Sequence, residues 1–290
     1  MLKKLISILL IISMVLSVVA CGKNNAGNNQ AGNKENGNNQ ASENTEDMGP
    51  ILTKVKKEGK IVLGTSADYP PYEWLGKVDG EMKVIGFDIA LAESIAEELG
   101  VELEIQDMDF KGLLPALSLG DVDFCIAGMV VNEERKQQVD FSEEYYSGGQ
   151  GMLIRKEDAE KYKTQDDFSG AKVGAQQATL QEELANTLKG ANPDLQPNVN
   201  NMVLELKGKA LDAIVIAAPP GKQFEKINDD LIFVDVGFPN EDGMAVAVAK
   251  GNEDLLEIIN KVIKDWKDSG KVEEEIAHYM ELSEEGIEQN

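Results

Sequence analysis

One arginine between two apolar stretches carries most of the recognisable chemistry of this 290-residue chain. Residues 126–146 read IAGMVVNEERKQQVDFSEEYY, in which an apolar stretch ends at Gly128 and a polar turn presents Arg135. A guanidinium is a planar cation that matches a carboxylate, and a glycine lets the backbone approach a ligand closely. At the end of a strand, this combination predicts a carboxylate-binding site. The alternative is a solvated helix residue, with Arg135 paired to Asp140 or Glu134.

A second candidate region is the loop 64–73, which reads GTSADYPPYE. Two prolines stiffen this loop and hold its aromatic rings outward at the end of a predicted strand, where α/β proteins usually bind ligands. The same residues also fit a proline-stiffened surface loop with tyrosines packed beneath it. The residue types alone leave both interpretations open.

Strands and helices alternate along the chain, which predicts an α/β fold. The apolar patterns predict strands over 61–63, 101–105, 122–127, 151–154, 172–175, 211–217, 231–236 and 243–248. They predict helices over 87–99, 113–119, 179–188, 253–267 and 272–280. Glycine-rich crossings near Gln150 and Asp242 are natural hinges. We therefore expect one lobe of residues 51–149 plus 242–290 and a second lobe of residues 150–241.

The N-terminal segment has the pattern of an export signal. Residues 1–20 place Lys3 and Lys4 before an apolar run that is too short for a membrane span. The run ends at Cys21, which predicts a lipidated cysteine. An ordinary signal peptide with an incidental cysteine is the alternative. Up to residue 50 the chain is rich in Asn, Gly, Gln and Glu, which predicts a disordered linker after the lipid anchor.

Composition excludes several classes of function. The formal net charge is −24, and removal of Lys3 and Lys4 with the signal changes it to −26. Such acidity argues against nucleic-acid binding. Apart from Cys21, Cys125 is the only cysteine, so no disulfide is expected. The spacing of Cys, His and acidic residues suggests no metal site, and we expect no cofactor.

The loop 64–73, the segment from Gly128 to Arg135, and the run MDFKGLLPAL around Phe110 together resemble the bacterial polar-amino-acid solute-binding proteins, the receptors of ABC importers. The resemblance covers residues 60–279. It implies a two-lobed, periplasmic-binding-protein-like (type II) fold with a hinge, in a monomer on the extracytoplasmic face of the membrane. It also implies an amino-acid or small-carboxylate ligand, an ABC permease as partner, and these ligand-binding residues: Tyr69, Phe110, Ala127, Gly128, Val130, Arg135, Thr179, Leu180 and Ala217.

The resemblance places the family's stacking aromatic residue at Tyr69 and a second aromatic or apolar wall of the site at Phe110. The carboxylate-binding arginine falls on Arg135, with backbone amides of Gly128, Thr179 and Leu180 beside it. Thr179 equally suits a helix N-cap, and the two roles are compatible.

The chain departs from the family at the site for the ligand's α-ammonium group. The family's acid there falls on Ala217, and two positions that often carry hydroxyls are Ala127 and Val130. An ammonium buried without an anion costs several kcal/mol, so we expect a carboxylate ligand without an α-amino group. The alternatives are an alignment error, or an acid supplied from elsewhere: Asp68, Asp109 or Asp242.

An enzyme is the main alternative function, because the fold family includes a cyclohexadienyl dehydratase. No nucleophile–base pair stands out, and the lone histidine, His278, lies in a charged terminal helix. We therefore expect a binding protein rather than an enzyme. A structural or adhesive lipoprotein is a third class, but it would not need a stiff aromatic loop beside a hinge.

Overall fold

A computed structural model describes residues 48–239 and 242–287, with the side chains described as far as residue 283. The predicted signal peptide, Cys21 and nearly all of the predicted linker lie outside these residues. The linker prediction extends to residue 50, whereas Gly49 and Pro50 already contact the folded part of the chain. The amide of Gly49 donates to Asp254 Oδ2 at 2.6 Å, and a helix begins at Pro50.

The first five-stranded sheet takes strands from both ends of the described chain. Its spatial order is β5-β1-β6-β13-β7. The three strands on one side run parallel, and β13 pairs antiparallel with both of its neighbours. Their bounds are β1 (Lys60–Thr65), β5 (Glu102–Asp107), β6 (Phe124–Cys125), β7 (Val139–Phe141) and β13 (Ala247–Ala249). We call the body around this sheet lobe 1.

The second five-stranded sheet comes from one continuous stretch of chain, in the order β10-β9-β11-β8-β12. Its bounds are β8 (Gln150–Arg155), β9 (Lys172–Gln176), β10 (Asn192–Gln196), β11 (Ala213–Ala217) and β12 (Leu231–Val234). We call the body around it lobe 2. A smaller antiparallel sheet follows β1 in the chain and consists of β2 (Asp68–Tyr69), β3 (Glu73–Val78) and β4 (Glu81–Ile85).

Helices cover the sheets, and apolar clusters fill the space between them. The bounds are α1 (Pro50–Glu58), α2 (Phe87–Leu99), α3 (Leu113–Leu119), α4 (Glu133–Gln138), α5 (Leu180–Thr187), α6 (Val199–Lys207), α7 (Ala218–Ile227), α8 (Glu253–Ser269) and α9 (Lys271–Ile287). None of the helices within the described ranges is long and apolar enough to cross a membrane.

The helix α2 shows why periodicity predicted these elements well. Phe87, Leu91 and Ile95 recur at helical spacing and are fully buried, so one face of the helix covers the sheet. Gly100 ends the helix in the left-handed conformation, with φ of +68°, and donates to the carbonyl of Ala96.

Two predictions of strand and helix differ from the structure for local reasons. The strand expected over 122–127 shrinks to β6, although the Asp123 and Ile126 amides still donate to the Val62 and Gly64 carbonyls of β1; at Asp123 the carboxylate, not the backbone, accepts the Val62 amide at 2.9 Å. The helix α7 was missed because its sequence begins APPG. Proline is compatible with the first turn of a helix, where its missing N–H has no intrahelical acceptor.

Two chain crossings connect the lobes, one between β7 and β8 and one between β12 and β13. They lie side by side: the Tyr145 amide donates to the Met244 carbonyl at 2.8 Å, and the Met244 amide to the Tyr146 carbonyl at 2.7 Å. A paired double crossing joins the lobes firmly along one edge and leaves the opposite edge held by side-chain contacts.

Candidate functional site

A small cavity lies between the carboxyl ends of the strands of the two lobes. Its volume is about 10 Å³, room for about one water molecule. All but one of the ligand-binding residues that the sequence predicts line it: Tyr69, Phe110, Ala127, Gly128, Val130, Arg135, Thr179 and Leu180. Residues more than a hundred positions apart therefore meet at one point.

The side chain of Arg135 lies in the wall of this cavity and is only 7% exposed. Its Nη1 donates to the Val130 carbonyl of lobe 1, and its Nη2 donates to the Ala178 carbonyl of lobe 2 at 2.8 Å. The guanidinium also lies 5.3 Å from the ring centre of Phe110. Burial lowers the pKa of Arg135 from its ordinary value.

The alternative of a solvated, ion-paired Arg135 is wrong. Among the described residues, none forms an ion pair with it, and its hydrogen bonds go to carbonyl groups. A buried guanidinium that lacks an anion can gain a charge-assisted contact from a carboxylate, as the sequence predicts for Arg135. The short helix α4 fixes its position, because the Asn132 side chain caps this helix by accepting the Arg135 amide at 2.8 Å.

Gly128 lines the cavity, but its amide does not have the predicted role. The amide donates to Asp88 Oδ2 at 2.7 Å, and the Tyr145 hydroxyl donates to the same oxygen at 2.9 Å. Burial raises the pKa of Asp88 to about 6. The φ of Gly128 is +53°, and a Cβ there would lie 3.4 Å from the Tyr72 ring. Gly128 therefore forms a close wall, while Asp88 holds its amide.

Thr179 has the helix-capping role that the sequence left open, and its ligand-binding role stays a prediction. Its hydroxyl accepts the Glu182 amide at 3.3 Å, which caps α5, and donates to the Gln176 carbonyl at 2.6 Å. The amides of Thr179 and Leu180 stand at the start of the helix, where the first N–H groups have no intrahelical acceptor. They offer neutral donors and the positive end of a helix dipole on the lobe 2 side.

Ala217 does not line the cavity but lies directly behind Tyr69. Its amide donates to the Tyr69 hydroxyl at 2.9 Å, across the two lobes. Gln181 Nε2 also lies 3.4 Å from that hydroxyl and donates to Gln150 Oε1 at 2.8 Å. The Tyr69 hydroxyl thus occupies the surroundings of residue 217, which is fully buried.

Sequence reasoning missed four polar residues of this wall: Ser66, Glu73, Gln176 and Gln181. Ser66 and Glu73 belong to the loop 64–73, in which the aromatic residue Tyr69 is the predicted ligand-binding residue. Gln176 ends β9, and Gln181 lies in the first turn of α5. Gln176 stands three positions before Thr179 and Gln181 two positions after it. This closeness in sequence is the signal that could have identified both.

Glu73 is the most unusual of the four. It is 1% exposed, and its carboxyl group forms a hydrogen bond with the carboxyl group of Asp88. Burial, followed by the charge of the neighbouring Asp88, raises the pKa of Glu73 well above its usual range. The raised pKa keeps the proton on Glu73, which donates it to the Asp88 carboxylate, so the two acids form a pair beside the cavity.

The three acids suggested as substitutes for an acid at residue 217 lie elsewhere. Asp68 is buried and accepts the Val199 amide of lobe 2 at 2.6 Å. Asp109 is exposed just before a short 3₁₀ turn, Phe110–Gly112. Asp242 is exposed and borders a separate pocket beside Leu184. None of these side chains lines the cavity that contains Arg135.

Known proteins are similar to this chain over most of its length. Residues 61–281 match the model of the bacterial extracellular solute-binding proteins, family 3. The chain belongs to this family. Among family members, it is 36% identical over 219 residues to the arginine-binding extracellular protein ArtP of Bacillus subtilis, which covers 74% of this chain and 83% of ArtP. It is 32% identical over 231 residues to a probable histidine-binding protein of Campylobacter jejuni, covering 79% of this chain and 88% of that one.

Solved structures of family members have the same two-lobed α/β fold. The substrate-binding protein AbpA of an amino-acid ABC transporter from Streptococcus pneumoniae, bound to L-arginine, matches with a TM-score of 0.78 at 34% identity, over 80% of this chain and 98% of AbpA. The ancestral amino-acid-binding protein AncCDT-1, a precursor of cyclohexadienyl dehydratase, matches with a TM-score of 0.73 at 31% identity, over 79% and 99% of the two chains.

Proposed function

We propose that this family member is the extracytoplasmic receptor of an ABC importer, and that it captures an amino acid or a related small carboxylate between its lobes. The observation that carries the proposal is the buried guanidinium of Arg135 in the wall of a cavity between the lobes. A ligand carboxylate would replace the two carbonyl groups that Arg135 now contacts, and would gain a two-pronged, charge-assisted contact.

The predicted ligand-binding residues are proposed as the receptor site in the roles that their positions support. Tyr69 and Phe110 form aromatic walls, and Ala127, Val130 and Leu180 form apolar ones. Such a surface favours a ligand with an apolar or flat body behind its carboxylate.

The other end of the ligand is inferred from Ala217 and Glu73. Residue 217 offers no acid, and its amide is bonded to the Tyr69 hydroxyl. Glu73 places a carboxyl group in the cavity wall at a different position, where it is paired with Asp88. We infer that a cationic group of the ligand interacts with the acid pair of Glu73 and Asp88, which shares one negative charge, and that an α-amino group is not required. The arginine-bound relative has a ligand with such a cationic end.

Capture requires the lobes to separate, because a volume of about 10 Å³ is far too small for an amino acid. We propose that the paired crossings at residues 145–146 and 244 act as the hinge. Closure would bury the ligand and present one continuous surface to a membrane permease. Small-angle scattering at saturating ligand should show a more compact molecule, and an unchanged profile would contradict closure.

The proposed location is the outer face of the cell membrane, where a monomer is held by a lipid at Cys21 after removal of residues 1–20. Cys21, the preceding small residues and the Asn- and Gly-rich linker support this proposal. Labelling with a radioactive fatty acid should mark the wild type and not Cys21→Ser. A labelled Cys21→Ser variant would refute the lipid anchor.

Mass spectrometry of small molecules released from the purified protein tests the proposed function directly. A carboxylate should be released, and calorimetry should then show that it binds again. A purified protein that binds none of a panel of amino acids and their desamino counterparts would refute the proposal.

A second candidate function has one specific observation in its favour. The raised pKa of Glu73 makes it a buried carboxylic acid that holds a proton within the cavity wall. A dehydratase on this fold would need such an acid to protonate a leaving hydroxyl group. Incubation with prephenate or arogenate tests this alternative, and we expect no aromatic product.

A further inference from the structure

Asp68 belongs to lobe 1, and its carboxylate contacts lobe 2 at a place outside the cavity. It lies in β2 and is 4% exposed. Its Oδ2 accepts the amide of Val199, the first residue of α6, at 2.6 Å. Its Oδ1 accepts Gln176 Nε2 at 3.3 Å, and the Ser66 hydroxyl lies 3.5 Å away. Both of the lobe 2 contacts exist only while the lobes are together.

The groups that face Asp68 do not compensate its charge fully. Asp107 on β5 and Glu73 on β3 are acids and disfavour a second negative charge nearby. A groove of about 590 Å³ beside Asp68 also contains Asp109, and no lysine, arginine or histidine lines it. Burial, assisted by Asp107, raises the pKa of Asp68 to about 6, while the bonds from Val199 and Gln176 lower it only in part.

Separation of the lobes would return water to Asp68 and remove both lobe 2 donors. Its pKa would then fall toward the ordinary value of 3.8. Because the pKa is higher in the closed form than in the open form, the closed form binds the proton more tightly. Closure is therefore favoured as the pH falls through about 6, and the ionised carboxylate opposes closure above that pH.

We propose that Asp68 is a positioning residue that sets how readily the two lobes close, so that capture becomes tighter in a mildly acidic medium. The inference about capture rests on the proposed function, whereas the inference about closure does not. Asp88 does not produce the same effect, because its partners Gly128 and Tyr145 belong to lobe 1 and stay with it when the lobes separate.

The size of the effect follows from the two pKa values. With a pKa of 3.8 in the open form and about 6 in the closed form, the closing equilibrium constant should rise about tenfold from pH 7.5 to pH 5. Asp68→Asn has the shape of the protonated acid and can still accept the Val199 amide. It should close at pH 7.5 as readily as the wild type does at pH 5, with little further change on acidification.

Single-molecule energy transfer on the unliganded full-length chain tests this proposal. Dyes attached at Glu97→Cys in lobe 1 and Lys189→Cys in lobe 2 report the distance between the lobes, since both positions are exposed. Cys125 is buried, and Cys21→Ser prevents labelling at the N-terminal cysteine. Asp109→Asn is the matched control: it removes an exposed acid from the same groove and should leave the pH dependence of closure intact.

Three results would overturn the proposal: a wild-type distance distribution that does not shift between pH 7.5 and pH 5, an Asp68→Asn variant that keeps the wild-type shift, or an Asp68→Asn variant that is more open at pH 7.5. The wild-type titration decides the first even if the variant fails to fold. Because no ligand is present, failure to find a bound carboxylate leaves this test unaffected, and a failed pH response leaves the proposed receptor function standing.

Discussion

On the lobe 1 side of the cavity stand the buried cation of Arg135 and the buried acid Glu73, whereas the lobe 2 side presents the neutral side chains of Gln176, Thr179 and Gln181. The difference suggests a division of labour. In the proposed receptor, lobe 1 would select a ligand by its charges, and lobe 2 would add neutral hydrogen bonds on closure. Selection on one rigid lobe can precede closure, so that a wrong ligand is released before the lobes move.

The largest expected effect is the loss of Arg135, which would remove the main charge of lobe 1. Arg135→Ala should weaken binding by about 2–5 kcal/mol, because the ligand carboxylate is left buried and unpaired. Arg135→Lys should weaken it less, since lysine keeps the charge but lacks the planar fork. Calorimetry with the carboxylate released from the protein measures both.

Lys136→Ala is the matched control for Arg135. Lys136 lies next to it on α4 but is exposed and pairs with Glu133 at 2.8 Å. Its loss should leave the affinity unchanged. If Arg135→Ala binds the ligand with unchanged affinity, Arg135 is not a ligand-binding residue. The difference in charge between the lobes would then not determine selection.

The second charge of lobe 1 should matter only for a ligand with a cationic end. Glu73→Gln keeps the shape but cannot ionise, so it should weaken binding of such a ligand by about 1.5–3 kcal/mol and leave uncharged-tail carboxylates nearly unaffected. Glu81→Gln, an exposed acid on β4, is the control. Equal or tighter binding of a cationic ligand by Glu73→Gln would show that the charge lies elsewhere.

Adding an acid to lobe 2 should reduce the difference in charge between the two lobes. Ala217→Asp should shift the preference about tenfold toward an α-amino acid over its desamino counterpart, because it supplies an anion for the ammonium group. Ala217→Asn has similar volume without charge and should not shift it. The inference from Ala217 is lost if the wild type binds an L-amino acid at micromolar affinity or better and its keto or desamino counterpart does not.

The smallest expected effect concerns a neutral residue of lobe 2. Thr179→Ala removes the cap of α5 and should lower the free energy of unfolding by about 1 kcal/mol, whereas Thr179→Ser should keep most of it. Denaturant unfolding measures the change. If Thr179→Ala reduced ligand affinity as much as Arg135→Ala, lobe 2 would carry more of the selection than its neutral side chains suggest.

The fold was largely predictable because its elements follow simple periodic patterns. The helices α2 and α3 begin and end where the sequence predicts, since apolar spacing and a terminal glycine mark both. The small sheet of β2, β3 and β4 was not predicted. Its strands are short, and β4 has no buried residue, so alternation of apolar and polar residues is weak. The position of β13 between two distant strands also leaves no local signal.

The candidate site was predictable where residue type alone limits the chemistry, as for the cation of Arg135. It was not predictable where the role of a residue depends on which other residues form hydrogen bonds with it. The amide of Gly128 is taken by Asp88, 40 positions earlier in the chain, and nothing in the local sequence reveals that bond. Glu73 became visible as a candidate only through its burial and its pairing with Asp88, which are properties of packing.

The place of β13 in the first sheet also sets an order in which the chain can complete its lobes. All strands of lobe 2 lie within residues 150–234, whereas lobe 1 needs Ala247–Ala249 between β6 and β7. The N-terminus emerges first from a ribosome or an export channel. The complete set of lobe 2 strands is therefore available while the sheet of lobe 1 still lacks an inner strand. Until that strand arrives, β6 and β7 keep unpaired edges that chaperones and proteases can recognise, and truncation before residue 247 would make this vulnerability permanent.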